Sequence, residues 1–343
     1  MLKDIRQLSL PDLTTWFKEE GESSFRAKQL YSWLWQKSAT DFDEMTNLSL
    51  ALREKLKEHF AIRAVAIYKE QFSNDGTIKS AFKLHDAHII EGVMIPVDDR
   101  ATACVSSQVG CSLTCKFCAT GLLKRERNLD AAEIYDQVVL IRNQAEKSLG
   151  RPLTNIVFMG MGEPLLNYSN VLASIEKITS PEGLGMSPKR ITVSTAGIAK
   201  MIKKLGDDQV RFNLALSLHA ANDEKRDTIM PINEQNSLEA LVEALNYFYE
   251  KTGNKITFEY ILLNGVNDSI EDAREVIGLC QRVPAKVNIL EYNKVEGADF
   301  TRTDAQRRDA FVAFLEKKGV TASIRKSRGK DIDAACGQLA NKG

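Results

Sequence analysis

From about residue 100 to residue 292 the chain switches repeatedly between two hydrophobic periods, and this alternation narrows its fold more than any other feature. Short apolar runs at 102–107, 155–159, 190–195, 211–218, 255–263 and 286–292 read as strands. Between them, 131–147, 169–179, 237–251 and 269–282 carry apolar residues at helical spacing. In the first of these, Ile134, Val138 and Ile141 form the stripe, and Asp130 with Glu133 forms a capping box. Strands alternating with helices imply a parallel sheet with right-handed crossovers. Six such units fall short of the eight of a closed barrel. The expected fold is therefore α/β, a partial (β/α)6 barrel spanning 100–326.

The flanks read differently. Residues 1–62 suggest small helices at 12–20, 25–36 and 49–60, with Pro11 and Gly21 bounding the first. Leu30, Trp33 and Leu34 give the second its apolar face, so a packed helical accessory domain is expected, with a role in gripping a substrate still open. Residues 63–99 alternate around Asn74-Asp75-Gly76, a strong hairpin signal, and read as a β-meander connector. Residues 327–343 remain as a C-terminal tail. Hydrophobic residues make up 43% and charged residues 27%, which excludes wholesale disorder. No run approaches the ~18 apolar residues of a membrane span. The first residues lack the apolar core of a secretory signal, and a cytoplasmic chain without a membrane partner is expected.

The six cysteines are Cys104, Cys111, Cys115, Cys118, Cys280 and Cys336. Clustering of four of them between residues 104 and 118 speaks for metal or redox chemistry rather than a disulfide scaffold. Cys111-Ser112-Leu113-Thr114-Cys115-Lys116-Phe117-Cys118 offers three thiolates on one loop. Structural zinc normally takes four protein ligands; here a zinc or purely structural site would need a fourth ligand such as Cys104. Three thiolates on a cubane instead leave one iron open to a small molecule. Cys280, on a helical pattern beside Ile277 and Leu279, reads as a structural thiol.

This spacing, with an aromatic residue before the last Cys, resembles the radical S-adenosylmethionine (SAM) superfamily. The resemblance implies one [4Fe-4S] cluster on Cys111, Cys115 and Cys118, whose open iron chelates SAM and whose reduced form cleaves it to a 5′-deoxyadenosyl radical. Gly160-Met161-Gly162-Glu163-Pro164, after the strand Ile156-Val157-Phe158, is similar to the family's loop for the SAM amino group. Alone it reads equally as a tight turn. Two segments narrow the resemblance. Ala103-Cys104 through Cys111, and Arg328-Gly329-Lys330-Asp331-Ile332-Asp333-Ala334-Ala335-Cys336-Gly337-Gln338-Leu339, closely resemble the RlmN/Cfr family of radical SAM RNA methyltransferases. The likeness runs from about Glu91 to Leu339 and breaks no family motif.

What the resemblance implies is a relay that methylates C2 of adenine 2503 in 23S rRNA, and C2 of adenine 37 in tRNAs. Adenine C2 is too electron-poor to attack SAM directly. Cys336 would take a methyl from one SAM, a second SAM would supply the radical that activates it, and Cys104 would resolve the RNA–protein adduct through a transient disulfide. Glu91 would accept a proton; its plainer reading is a surface carboxylate at a strand end. Gly162, Glu163, Ser194, Ser217, Leu218, His219 and Asn293 would surround SAM, with Asn288 a neighbouring alternative to Asn293. An external electron donor and a monomer complete the expectation.

Formal net charge is zero, so RNA contact would need local basic clusters. Lys124-Arg125 with Arg127, Arg307-Arg308, and Arg325-Lys326 with Arg328 and Lys330 supply them, each also readable as a solvated face. Rival readings are C8 methylation of the same adenine within the family, a radical SAM activase acting on a protein glycine, and a non-enzymatic metal-binding module.

Overall fold

A computed structural model describes residues 2–341. The amino-terminal part pairs β1 (Lys3–Asp4) with β2 (Phe60–Ala61) around three helices, α1 (Leu10–Glu19), α2 (Ser24–Trp35) and α3 (Leu50–His59). α1 begins at Leu10, two residues ahead of the expected 12–20. Ser9 Oγ accepts the Asp12 N–H (3.2 Å) while Asp12 Oδ2 takes the Ser9 N–H (3.0 Å), a capping box that encloses Pro11. α2 buries Leu30, Tyr31, Leu34 and Trp35, whereas Trp33 is only half-buried under the Lys37 ammonium.

The meander over 63–99 forms β3 (Ala66–Phe72), β4 (Ile78–Lys83) and β5 (Ile89–Val97). Gly76 adopts φ +82° in the expected hairpin turn. These strands are joined edge-on to the barrel: β5 pairs antiparallel with β6 (Arg100–Cys104). A two-residue ribbon, β7 (Gln108–Val109) against β8 (Arg127–Asn128), then brackets the cysteine loop.

The alternating segment follows as α4 (Ala131–Leu149), β9 (Asn155–Phe158), α5 (Tyr168–Thr179), β10 (Ile191–Thr195), α6 (Ala199–Asp207), β11 (Asn213–Ser217), α7 (Asp223–Ile229), α8 (Leu238–Thr252), β12 (Ile256–Leu262), α9 (Ile270–Arg282), β13 (Ala285–Glu291), α10 (Ala305–Lys317) and β14 (Ala322–Arg325). The Asp130–Glu133 capping box starts α4 and Gly150 at φ +64° ends it. All six expected strands are parallel neighbours in the order β6-β9-β10-β11-β12-β13, and β14 adds a seventh. The fold is the radical SAM partial barrel, extended by β5-β4-β3 at its first edge. α6, α7, α10 and β14 are not apparent from the pattern: each is short, or mixed in charge on several faces.

Parallel strands place all their carboxyl ends at one rim, so the loops after β6, β9, β10, β11, β12 and β13 share one mouth. Along β12, Phe258 and Tyr260 pack into the main core, while Ile261 joins a second apolar cluster with Phe117, Ala196, Ala220, Ile229, Leu290 and Tyr292. That second cluster lies under the cysteine loop.

Candidate active site

The cysteine loop leaves β7 through Gly110 at φ +72°, where any Cβ would collide with the Lys124 carbonyl. It is anchored at both sides of its apex. The Lys116 N–H donates to Ile229 O (3.0 Å), and the Cys118 N–H to Cys115 O (3.2 Å). Burial pushes the Cys111 thiol up to about 11 and Cys115 higher still, with the charges of Cys118 and Glu163 adding to both. The three thiols and Glu163 therefore share one electrostatic environment. Among the described residues no three thiols, imidazoles or carboxylates are gathered tightly enough for a single ion. A cubane does not need that, because each of its three cysteines holds a different iron. A three-thiolate donor set without a fourth fits such a cluster. Cys104, the candidate fourth ligand of a zinc site, bears instead on Cys336.

The 160–163 turn is laid along the chain that follows β6. Ser107 N–H donates to Met161 O (2.8 Å), and Glu163 N–H to Gln108 Oε1 (2.9 Å). Gly162 has φ +94°, and a Cβ there would stand 2.5 Å from the Gln108 Cβ, so only glycine fits. Glu163 is buried, accepting the N–H of Leu165 (3.0 Å) and Ala196 (2.7 Å). Burial raises its carboxyl above the ordinary range.

Ser194 and Ser217 meet inside the barrel, Oγ to Oγ 3.4 Å. Ser217, Glu259, Asn288 and Ser323 lie on one register row across β11 to β14. Asn288 donates to Glu259 Oε1 (2.9 Å) and accepts from Ser323 (2.8 Å), which occupies its amide. Glu259 is buried, its Oε2 has no hydrogen-bond partner among the described residues, and Arg325 approaches its Oε1 at 3.6 Å. Leu218 offers the site only backbone, its carbonyl taken by Arg226. His219 sits at φ +56°, with Nδ1 accepting the Ile261 N–H (3.0 Å) and its ring edge-on to Phe117. Burial and the Arg226 charge hold it neutral, down to about 3.

The tail carries Cys336 into this mouth. Ala119 N–H donates to Gly337 O (2.7 Å), Thr120 Oγ1 to Leu339 O (2.6 Å), and Asn293 Nδ2 to Cys336 O (3.4 Å). Cys336 is exposed as a residue, yet desolvation among its neighbours pushes its thiol up to about 11, with the Arg325 charge opposing. Cys104 is buried and pushed up to about 12 by burial and by Cys336, with Arg325 opposing. Cys118 in turn bears on Cys336. Glu91, expected as a surface carboxylate or a base, is buried; it pairs with Lys79 (3.6 Å) and accepts the N–H of Ala340 (2.9 Å) and Asn341 (3.2 Å). Cys280 is half-buried against the main core.

The basic clusters fare unevenly. Arg127 is neutralised by Asp86 and Glu133, Arg307 faces Asp268, and Arg308 and Lys330 converge on Glu291. Sequence reasoning passed over Arg226, Glu259 and Lys79, and took Arg325 only as part of a basic cluster. A charge amid the apolar strand Ile256-Thr257-Phe258-Glu259-Tyr260-Ile261 was the available signal for Glu259. Arg226, in Asp223-Glu224-Lys225-Arg226-Asp227, resembles a solvated face and gave none.

Comparison with known proteins agrees with this geometry. Residues 3–62 match the model for the ribosomal RNA large subunit methyltransferase N-terminal domain, and residues 105–277 match the radical SAM superfamily. The chain is 59% identical to the probable dual-specificity RNA methyltransferase RlmN of Cytophaga hutchinsonii, covering 99% of this chain and 93% of that one. It is 45% identical to the dual-specificity RNA methyltransferase RlmN 2 of Myxococcus xanthus, covering 100% and 92%. A radical SAM methyltransferase from Sphaerobacter thermophilus superposes with TM-score 0.93 at 38% identity, over 98% of this chain and 99% of that one. With relatives of this identity along its whole length, and its cysteine loop set in a partial barrel, the chain belongs to the RlmN family of radical SAM RNA methyltransferases.

Proposed function

We propose that this chain methylates C2 of adenine 2503 in 23S rRNA and C2 of adenine 37 in tRNAs through a methylcysteine on Cys336. The observation that carries the reading is that the fold brings Cys104 and Cys336, 232 positions apart in the sequence, within electrostatic reach of each other, with the tail bonded beside Cys118 through Ala119 N–H and Gly337 O (2.7 Å). An activase of a protein glycine has no use for that pair.

Cys111, Cys115 and Cys118 would hold the cluster, which with SAM and an external electron donor supplies a 5′-deoxyadenosyl radical. Gly162 and Glu163, the Ser194–Ser217 pair, Leu218, His219 and Asn293 would line the SAM site. A neutral His219 suits a positioning part, and Asn293 would also hold the backbone of Cys336. As thiolate, Cys336 would take the methyl of one SAM, with S-adenosylhomocysteine leaving; a second SAM would be consumed in activating that methyl. After the carbon has joined C2, the adduct would give its odd electron back to the oxidised cluster and its C2 proton to a base, and Cys104 would then attack the Cys336 sulfur. The C–S electron pair then leaves with the carbon, and a proton completes the methyl. Glu91 is free to accept a proton only when the tail amides release it. The target adenine must leave its stack to reach this mouth. Residues 1–62 would contact RNA, with 63–99 as connector, 100–326 as catalytic barrel and 327–343 as the tail that carries the methyl-accepting Cys336, in a cytoplasmic monomer.

Product analysis tests the reading. Reconstituted protein with SAM, reductant and protein-free 23S rRNA or tRNA should yield 2-methyladenosine by mass spectrometry. Cys336→Ala should abolish it while leaving 5′-deoxyadenosine formation, and Cys104→Ala should trap RNA on the protein. Formation of 8-methyladenosine would assign the alternative regiochemistry, and deoxyadenosine without methylated base would refute the substrate.

A further inference from the structure

Arg226 has no accessible surface, yet among the described residues no carboxylate is bonded to it. Its Nε donates to Leu218 O (3.0 Å) and its Nη1 to Asn233 Oδ1 (2.6 Å). Its Nη2 donates to Ala196 O (2.6 Å) and Ser217 O (3.1 Å). Asp223 and Asp227 are turned away onto the Asn233 amide, at 2.8 and 2.7 Å. A buried guanidinium satisfied only by neutral acceptors is disfavoured unless an anion joins it.

Two observations say which anion. The last carbonyl of the helix that carries Arg226, Ile229 O, accepts the Lys116 N–H, so α7 is bonded directly to the cysteine loop between Cys115 and Cys118. Burial depresses Arg226 to about 10, opposed first by the charge of Cys115 and then by those of Asp223 and Asp227. The guanidinium also reaches Glu163 through one residue, because Ala196 gives its carbonyl to Arg226 and its N–H to Glu163 Oε2.

We infer that Arg226 is a positioning residue with two parts: its fork holds the strand-end carbonyls of β10 and β11 in register with the cysteine loop, and its charge stands behind the cluster on that loop. The inference rests on the cluster and SAM reading proposed above. One-electron reduction makes a thiolate-bound cluster more negative, so a fixed buried cation favours the reduced state. Arginine suits both parts, since its planar fork serves several carbonyls at once, whereas a lysine ammonium supplies charge from a single point.

The test compares wild type, Arg226→Gln and Arg226→Lys after anaerobic reconstitution. Iron content, an EPR-monitored redox titration and equilibrium binding of SAM are measured. Arg226→Gln should carry wild-type iron, shift the midpoint to more negative potential and weaken SAM binding about tenfold or more. Arg226→Lys should restore the midpoint but not SAM binding. An unchanged midpoint and unchanged SAM affinity in Arg226→Gln would overturn the inference. If that variant does not fold, Arg226→Lys decides: weakened SAM binding at wild-type midpoint supports the two-part role, and wild-type SAM binding refutes it. Wild-type protein that takes up no iron would defeat the cluster reading instead, a separate result.

Discussion

Glu91 shows how burial changes the meaning of a residue. Its carboxylate is 2% exposed and Lys79 is 4% exposed, at 3.6 Å. Removing one member of such a pair leaves the other charge buried and costs about 3–5 kcal/mol. Glu91→Gln should therefore lower stability by at least about 3 kcal/mol in denaturant titration, and the double variant Lys79→Met/Glu91→Gln should recover most of the loss. If the double variant is stable and still inactive, the carboxylate has a chemical part; recovered methylation would show that its part is holding the tail. The relay thiols carry a pH prediction of definite sign. With Cys336 held up to about 11, its thiolate is scarce near neutrality, so alkylation by iodoacetamide in iron-free protein should rise about tenfold per pH unit toward pH 11. Arg325→Met removes the cation opposing that shift and should move the profile to higher pH. A plateau near pH 8.5, the ordinary thiol value, would contradict this. The cysteines and the Gly160–Pro164 loop were legible because short local spacing carries their meaning. Arg226 and Lys79 were not, because only the fold decides that these charges lie inside.

Elements repeat that division. Six strands and four of the helices between them follow from hydrophobic period, because a buried parallel strand and a helix packed on one face each leave a sustained pattern. β14, Ala322-Ser323-Ile324-Arg325, leaves none: four mixed residues at a sheet edge bury little. Asn74-Asp75-Gly76 was legible as a turn, but its partner was not, since that partner lies some 250 residues on. Asp75 Oδ2 accepts the Gly329 N–H (3.0 Å), while Asp331 accepts from Ser73 Oγ (2.6 Å) and Asn74 N–H (3.1 Å). The hairpin turn thus fastens the tail at its root, with Cys336 five residues beyond Asp331. Each hydrogen bond is worth about 1 kcal/mol. Asp331→Ala removes two, so tail amides beyond 331 should exchange on the order of tenfold faster or more by hydrogen–deuterium mass spectrometry. Methyl transfer should fall with SAM cleavage retained. Unaltered exchange would show that Glu91 and Thr120 hold the tail without the hairpin.

At the scale of the molecule, the helical part and the barrel share one core. Leu13, Phe17 and Leu30 belong to the same contiguous apolar cluster as Ile134, Val138 and Ile141. Trp35 stands edge-on to Tyr135 at 5.1 Å, and the Tyr135 hydroxyl donates to the Trp35 carbonyl. Beside them Arg6, 8% exposed, bridges Asp4 (3.1 Å) and Asp136 of α4 (2.8 Å). The helices' apolar faces were readable, but not which of them meets the barrel, because an amphipathic stripe does not name its partner. The chain's three tryptophans are Trp16, Trp33 and Trp35, all in the helical part. Their fluorescence reports that part alone, whereas far-UV circular dichroism reports the whole chain. If the shared core makes unfolding concerted, the two transitions coincide in urea. Arg6→Met strands two buried carboxylates, at a cost of about 3–5 kcal/mol. It should then move both transitions to lower urea together. A fluorescence transition that moves alone would mean that the helical part unfolds by itself, and that the contacts through Arg6 and Trp35 dock it without coupling it to the barrel.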